Sequence, residues 1–377
     1  MIAADGQAST ARPARAVAAP IRWRRLAAAH LGRDPELARE WDRLNASRCD
    51  MAFLTADTIA AAIDVFGTGR EQILIGSIGP NVVAILVLAP LGGLRWQTFQ
   101  PSQIPLGAWV AAPDLHLPAL TGSLLRGPLA ACLALSITQV DPLIESRADD
   151  TSSTRHSDYI DTCWIDVEGS FADYWAARGK NLRQNLRKQR NKLAAEGVKT
   201  HMRMLHEPHE MAPALARYGL LESAGWKAAE GTSIHHDNAQ GRFYRQLFEA
   251  AAARDEALVC EYLFDERTVA MNLCLLRKGT LVVLKTTYDE SIKLFSPASL
   301  LREEELQEFF AKGRIRRIEY YGRMMDWHAK LTDRKRTLHH LTAYRWPLLK
   351  KLTEWRRTST GGDAAAPSAT PDEPVSG

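Results

Sequence analysis

The sequence predicts an α+β fold built on a mixed, mostly antiparallel sheet flanked by helices. Three observations lead there. Residues 257–287 hold three β-rich runs joined by Asp265-Glu266-Arg267 and Arg277-Lys278-Gly279, the signature of an antiparallel meander. Behind them Ser296-Pro297 opens a helix over 297–311, with the serine suited to the N-cap and the proline to the first turn. A strand at 316–321 follows that helix, and a right-handed crossover would lay it parallel to the third strand of the meander.

From the N-terminus, residues 1–20 are rich in Ala, Pro and Arg, and residues 358–377 in Ser, Thr, Gly, Ala and Pro. Both ends are expected to be disordered tails outside the fold. A first folded block is placed at 21–150. Its helix at 57–66 is stopped by Gly67, and the apolar runs 73–78 and 82–88 flank Gly79-Pro80-Asn81 as a hairpin. Strands at 95–99 and 137–140 are expected on either side of a Leu/Ala-rich helix at 122–134.

The polar stretch 146–158 marks the boundary to a second block, 151–357. A strand at 162–167 comes first, and Ser170 with Asp173 forms a capping box that opens a helix. The helical run 178–192 carries Arg178, Lys180, Arg183, Arg187, Lys188, Arg190 and Lys192 around an apolar face of Leu182, Leu186 and Leu193. A helix at 240–253 sets Phe243, Leu247 and Phe248 at core spacing. Beyond the meander, the Ser-Pro helix and the fourth strand, a short helix at 325–331 and a last strand at 337–344 complete the block. No repeat of the solenoid kind is visible in the chain.

Composition narrows the function classes. With 377 residues, 46% hydrophobic and 24% charged, the chain can bury sizeable cores without disulfides or structural metal. Its five cysteines are scattered without CxxC spacing, so neither a disulfide framework nor a zinc site is expected. Adjacent His235 and His236 point apart on any regular element, so no metal site is expected there either. The longest apolar stretch, 82–91, is about half of the ~20 residues a bilayer crossing requires. The first residues lack the apolar core of a signal peptide, and a cytoplasmic location is expected. A net charge of +4 is too small to argue for nucleic acid, so no DNA or RNA partner is expected.

Three stretches can carry chemistry. The helix that Ser296 and Pro297 open has no acidic side chain until Glu303, so its first amides and dipole either simply start a helix or receive a phosphate. Trp226 and Lys227 lie between Gly225 and Gly231. From the residues alone Trp226 packs against a domain face and Lys227 is solvated. At the exit of the fourth strand, Asp326, His328 and Lys330 can face a cleft, and the unperturbed pKa of a histidine suits proton transfer. The basic run 178–192 is either a solvated face or a surface for an anionic partner, without the interleaved aromatics that favour nucleic acid.

In order along the chain stand Ile165-Asp166-Val167 with Ser170-Phe171; Asn181, Arg183 and Arg187; Glu222, Trp226-Lys227 and Gly231-Thr232; Val269-Ala270-Met271; Tyr288-Asp289 with Phe295 to Leu301; and Ala329-Lys330. Over about residues 160–345 this set resembles the CelD-type acetyltransferases of the GNAT superfamily, a bacterial group associated with cellulose and exopolysaccharide biosynthesis. The resemblance implies two tandem GNAT-like domains related to Fem-type transferases, the N-terminal one degenerate. It further implies acetyl-CoA or a longer acyl-CoA as co-substrate, bound between splayed strands at 281–287 and 316–321.

Carried onto this chain, Lys285, Thr286, Ser296, Pro297, Ala298, Ser299 and Leu300 would hold the co-substrate. Trp226, Lys227 and Lys330 would meet the acceptor. Asp289 or Glu319 would act as base, and His328 or Tyr288 as acid. Ala298 stands where this group often has glycine, and the glycine-rich phosphate loop usual in the superfamily is missing. The expected reaction is direct acyl transfer to an amine of a small or lipid-linked acceptor, with polysaccharide-synthesis machinery as an associated partner. A Fem-like aminoacyl-tRNA-dependent transferase and a non-catalytic accessory protein are the alternatives.

Overall fold

A computed structural model describes residues 20–223, 234–235 and 237–359. One half of the chain is built from β1 (Arg22–Ala27), α1 (Pro35–Arg48), α2 (Ala56–Phe66), β2 (Gln72–Ile78), β3 (Asn81–Gly92), β4 (Arg95–Thr98), β5 (Trp109–Ala111), α3 (Leu117–Arg126) and β6 (Ala134–Val140). The chain continues through β7 (Thr154–Asp166), α4 (Phe171–Ala176), α5 (Lys180–Ala195), β8 (Thr200–Leu205), α6 (Pro208–Ser223), α7 (Ala239–Ala252), β9 (Ala257–Phe264), β10 (Arg267–Arg277) and β11 (Thr280–Tyr288). It closes with α8 (Pro297–Lys312), β12 (Arg317–Tyr320), α9 (Asp326–Ala329), β13 (Lys335–Tyr344) and α10 (Pro347–Ser359).

The strands form one sheet in the order β1-β2-β3-β4-β6-β13-β7-β12-β11-β10-β9-β8, with β5 paired to β3. That order reads the same from either edge. Each half is a strand, two helices, three antiparallel strands, a crossover helix and a strand parallel to the third. The parallel pairs are β4 with β6 and β11 with β12. At the centre the closing strands are exchanged. β7, which follows β6 in sequence, pairs with β12, while β13, which follows β12, pairs with β6. The α+β class and the mixed, mostly antiparallel sheet are as expected, and the duplicated order accords with the tandem arrangement the resemblance implies, although no internal repeat is visible in the sequence.

Helices cover both faces. On one face the pairs α1–α2 and α6–α7 share a single apolar core that includes Trp41, Phe53, Ile59, Tyr218, Phe243 and Phe248. The Phe66 and Phe243 rings, 5.3 Å apart, join the two halves there. On the other face α3 covers the N-terminal strands, while α4, α5 and α8 cover the C-terminal ones. Fully burying a side chain of this size contributes about 1.5–3 kcal/mol, so these cores are what hold the layers together.

Several expected boundaries shift for physical reasons. The helix expected at 122–134 is Leu117–Arg126, because Gly127 followed by Pro128 ends it. Ser170 does cap α4, its Oγ accepting from the Asp173 amide at 3.1 Å, but that helix is short and the basic run forms a separate one, α5. Strands β1, β5 and β8 and helices α1, α6 and α10 had no counterpart in the sequence reading.

Candidate active site

The site begins where β11 and β12 part. They run parallel from Thr280 opposite Arg317 to Val283 opposite Tyr320, and there the pairing ends. β11 continues to Tyr288 held only by β10. Across β10, Leu273 faces Lys285 and Cys274 faces Val283, leaving Leu284 as the extra residue of a bulge at the fork. A bulge re-aims side chains by interrupting the alternation of a strand. Leu284 and Lys285 therefore both turn toward α6 and α7.

Lys285 Nζ lies 2.9 Å from Glu222 Oε1, near the faces of Tyr244 (5.4 Å) and Tyr218 (5.9 Å). The Glu222 side chain is fully buried, and its Oε2 accepts the Ile234 amide at 2.8 Å. The fork thus carries a buried ion pair on the α6–α7 face of the sheet.

On the opposite face Thr286 Oγ1 accepts from Arg302 Nη2 at 3.1 Å, and the Arg302 guanidinium stacks 3.6 Å above the Trp327 ring. Trp327 in turn stacks on His328. His328 is buried, and its Nδ1 accepts the Met325 amide at 2.9 Å. Burial, reinforced by the Arg302 charge, pushes its pKa down to about 3, so the ring is neutral at neutral pH. One turn further along α8, Glu305 receives both carboxylate contacts from Asn272 Nδ2, at 2.8 and 2.7 Å. Burial raises this carboxyl to about 7.

The start of α8 completes the fork. Ser296 occupies the N-cap position, but its backbone is left-handed (φ 53°, ψ 48°) and its hydroxyl caps nothing, contrary to the serine-cap expectation. The Ser299 and Leu300 amides both turn back to the Ser296 carbonyl at 3.0 Å. Pro297 does stand at the first position, and no acid occupies the first turn. Helix α5 lies alongside. Asn185 Nδ2 reaches Ser296 Oγ at 3.4 Å, Lys192 Nζ sits 4.5 Å from the Phe295 ring, and Arg190 binds Glu303 and Glu304 at 2.8 and 2.7 Å. Lys188 and Lys192 share the face of α5 that carries Asn185. A helix N-terminus flanked by lysines in this way suits an anion.

The other expected residues sit as follows. Tyr288 ends β11, half-buried against the C-terminal core. Asp289 pairs with Arg267 and accepts the Ser291 amide (2.9 Å) and hydroxyl (2.6 Å), which starts the helical turn Glu290–Phe295. Glu319 is buried between Arg336 (2.8 Å) and Arg317 (2.6 Å), and burial raises its pKa in spite of both arginines. Lys330 is exposed just beyond α9. Trp226 and Lys227 lie outside the described residues.

Lys285, Thr286 and Tyr288 therefore lie along the part of β11 beyond the fork, with Lys285 and Thr286 held by Glu222 and Arg302 on opposite faces, while Asp289, Glu319 and His328 are held by Arg267, by Arg336 and Arg317, and by the Met325 amide. The sequence reading missed Tyr218, Tyr244, Asn272, Arg302 and Glu305. The available signal was polarity in the wrong place: Asn272 within an otherwise apolar strand, and Glu305 between Leu301 and Phe309 on the buried stripe of α8. Among the described residues no group of three or more His, Cys, Asp or Glu is placed to hold a metal ion.

Comparison with known proteins places this geometry. Residues 180–330 match the family model described as an acetyltransferase (GNAT) domain. No curated protein matches the chain. Among solved structures, the C-terminal domain (DUF2156) of a putative lysylphosphatidylglycerol synthetase from Agrobacterium fabrum is similar at 13% identity and a TM-score of 0.53, with 85% of this chain and 96% of that one covered. The L-PGS of Bacillus licheniformis is similar at 14% and 0.51, covering 83% and 92%. FemX is similar at 9% and 0.51, covering 84% and 98%. At these identities the likeness is one of fold, and over residues 180–330 the family model gives that fold as a GNAT domain.

Proposed function

We propose that this chain is an acyl-CoA-dependent N-acyltransferase acting on an amine of a cell-envelope or polysaccharide-related acceptor. Residues 151–357 would be the acyltransferase domain and 21–150 a degenerate GNAT-like partner. The observation that carries the reading is the fork between β11 and β12, which ends at a helix N-terminus without first-turn acid and beside the lysines of α5. Such a fork can seat the pantetheine arm and place a pyrophosphate over Ser296 to Ser299.

The amine nitrogen would attack the thioester carbon, the C–S bond would break, and the thiolate would leave with a proton. Alignment of the two reactants and a backbone N–H aimed at the carbonyl oxygen supply most of the catalysis. The acceptor enters from the α6–α7 face. There Glu222, bridged by Lys285, takes the proton the amine loses, and Tyr288 protonates the thiolate. Asp289, Glu319 and His328 then shape the site without exchanging protons.

Thermal unfolding with acetyl-CoA and longer acyl-CoAs tests this. At 100-fold excess over Kd, binding adds about 2.7 kcal/mol, and Ala298→Glu, which sets a carboxylate in the first turn, abolishes the shift. No shift with any acyl-CoA would overturn the reading in favour of a non-catalytic accessory protein. A second reading, aminoacyl-tRNA as donor, draws on the exposed Lys180, Arg187, Lys188 and Lys192 of α5. Retention on RNA that falls steeply with salt would favour it.

A further inference from the structure

Helix α10 packs against the sheet by its polar side and turns its apolar side outward. Lys350 anchors it, with Nζ donating to the carbonyls of Thr151 (2.8 Å) and Thr154 (2.9 Å) at the start of β7. Leu348, Leu352 and Trp355 follow at i, i+4 and i+7 and so share one helical face opposite Lys350. They are 64%, 47% and 65% exposed. Lys351 and Arg356 border the stripe on either side. A globular protein ordinarily folds such a helix with the leucines inward, and scattered single exposed leucines need no explanation, but an aligned stripe does.

The patch extends beyond the helix. Trp346, just before α10, is 54% exposed. Its neighbour Arg345 donates its amide to the Leu133 carbonyl, and Leu133 donates to the carbonyl of Leu94 at the β3–β4 turn. Leu94 and Leu91 of that hairpin are themselves among the exposed large apolar residues, and Arg95 beside them is exposed. Leucines and tryptophans bordered by Lys and Arg are the composition of an element that lies in a membrane interface, where indoles sit at headgroup depth and cations meet anionic lipid. Among the described residues no helix is long and apolar enough to cross a membrane, which fits a surface that lies on a bilayer.

We infer that α10 and the adjacent β3–β4 hairpin form a peripheral docking surface for a membrane bearing anionic lipid. This surface is independent of the acyl-transfer reading, and its test needs no acyl donor. The full chain is sedimented with vesicles of phosphatidylcholine alone and of phosphatidylcholine with about one third phosphatidylglycerol. It co-sediments with the second and not the first. Raising salt from about 0.1 to about 1 M, which shortens the screening length from about 10 to about 3 Å, releases much of it.

Leu352→Glu with Trp355→Glu weakens binding by roughly tenfold or more while leaving the unfolding temperature unchanged, because both side chains are exposed. Lys351→Gln, which leaves the apolar stripe intact, weakens binding to the anionic vesicles by less than the double variant and lessens its loss on raising salt. Absence of sedimentation with either vesicle overturns the inference. So does equal sedimentation of wild type and the double variant. A wild-type dimer in solution that the double variant converts to monomer, without vesicle binding, assigns the face to a second copy of the chain instead.

Discussion

The pair Lys285 and Glu222 shows how a single inserted residue can place charge. Without the bulge at Leu284 the strand alternation would send Lys285 to the α8 face, away from Glu222. Removing one partner of a buried pair leaves the other charge uncompensated, so Lys285→Met is expected to cost about 3–5 kcal/mol in denaturant unfolding. Lys285→Met with Glu222→Met recovers much of that loss, and a double variant no more stable than the single one would refute the pairing.

His328 and Glu305 titrate against each other. The His328 pKa is depressed from 6.5 to about 3, so its share of stability is present above pH 6.5 and is lost as pH falls toward 3. Glu305 is raised from 4.5 to about 7, so its share is present below pH 4.5 and is lost as pH rises through 7. Between pH 4.5 and 6.5, where the two windows overlap, the slopes, each about 1.4 kcal/mol per pH unit, cancel. Glu305→Gln removes one of them. Its stability relative to wild type is expected to rise by about 2–3 kcal/mol between pH 5 and pH 8, and a pH-independent difference would exclude the assignment.

Among the elements, α6 sets the Lys285 side of the fork because Gly219 lets another backbone come close. A Cβ there would lie 2.2 Å from the Ile234 carbonyl oxygen, a backbone atom that cannot swing aside. Alanine in a helix normally gains about 1 kcal/mol over glycine. Gly219→Ala is instead expected to destabilise by about 2 kcal/mol, because it pushes Ile234 off the Glu222 carboxylate. A variant as stable as wild type would mean this approach is not required.

The same region shows what was legible in the sequence. The meander β9–β11 and helix α8 were readable because charged turns and a Ser-Pro pair punctuate them. The bulge was not, since register belongs to the pairing of β10 with β11 and leaves no local signature. The left-handed backbone at Ser296 was hidden for the same reason. Burial decided the fate of His328: its spacing after the fourth strand suggested an acid, and its packing under Trp327 and Arg302 makes it a neutral cap. Helix α10 escaped notice because its leucines and tryptophan do not pack inward.

Across the whole molecule, the exchange of β7 and β13 binds the two halves more tightly than a linker between domains would. Each closing strand completes the sheet of the other half, and the cores of α1–α2 and α6–α7 are continuous. At the seam Arg336 of β13 reaches Asp141, just after β6, with Nε at 2.8 Å and Nη2 at 2.7 Å. The same Nη2 binds Glu319 of β12 at 2.8 Å. Tyr321 Oη adds a hydrogen bond to Asp141 at 3.1 Å. All four side chains are buried, so the network is fully desolvated and costly to break from one end.

Two consequences follow from this arrangement. Asp141→Ala, far in sequence from the fork, is expected to cost about 3–5 kcal/mol and to lower the single unfolding temperature of the whole chain. Calorimetry of the intact chain should show one cooperative transition, and residues 151–357 expressed alone should show none, because β13 then lacks β6 and α7 lacks the α2 face it packs on. Two resolved transitions in the intact chain, or a cooperative transition in the isolated C-terminal half, would mean that the exchange is ornamental and that each half folds by itself.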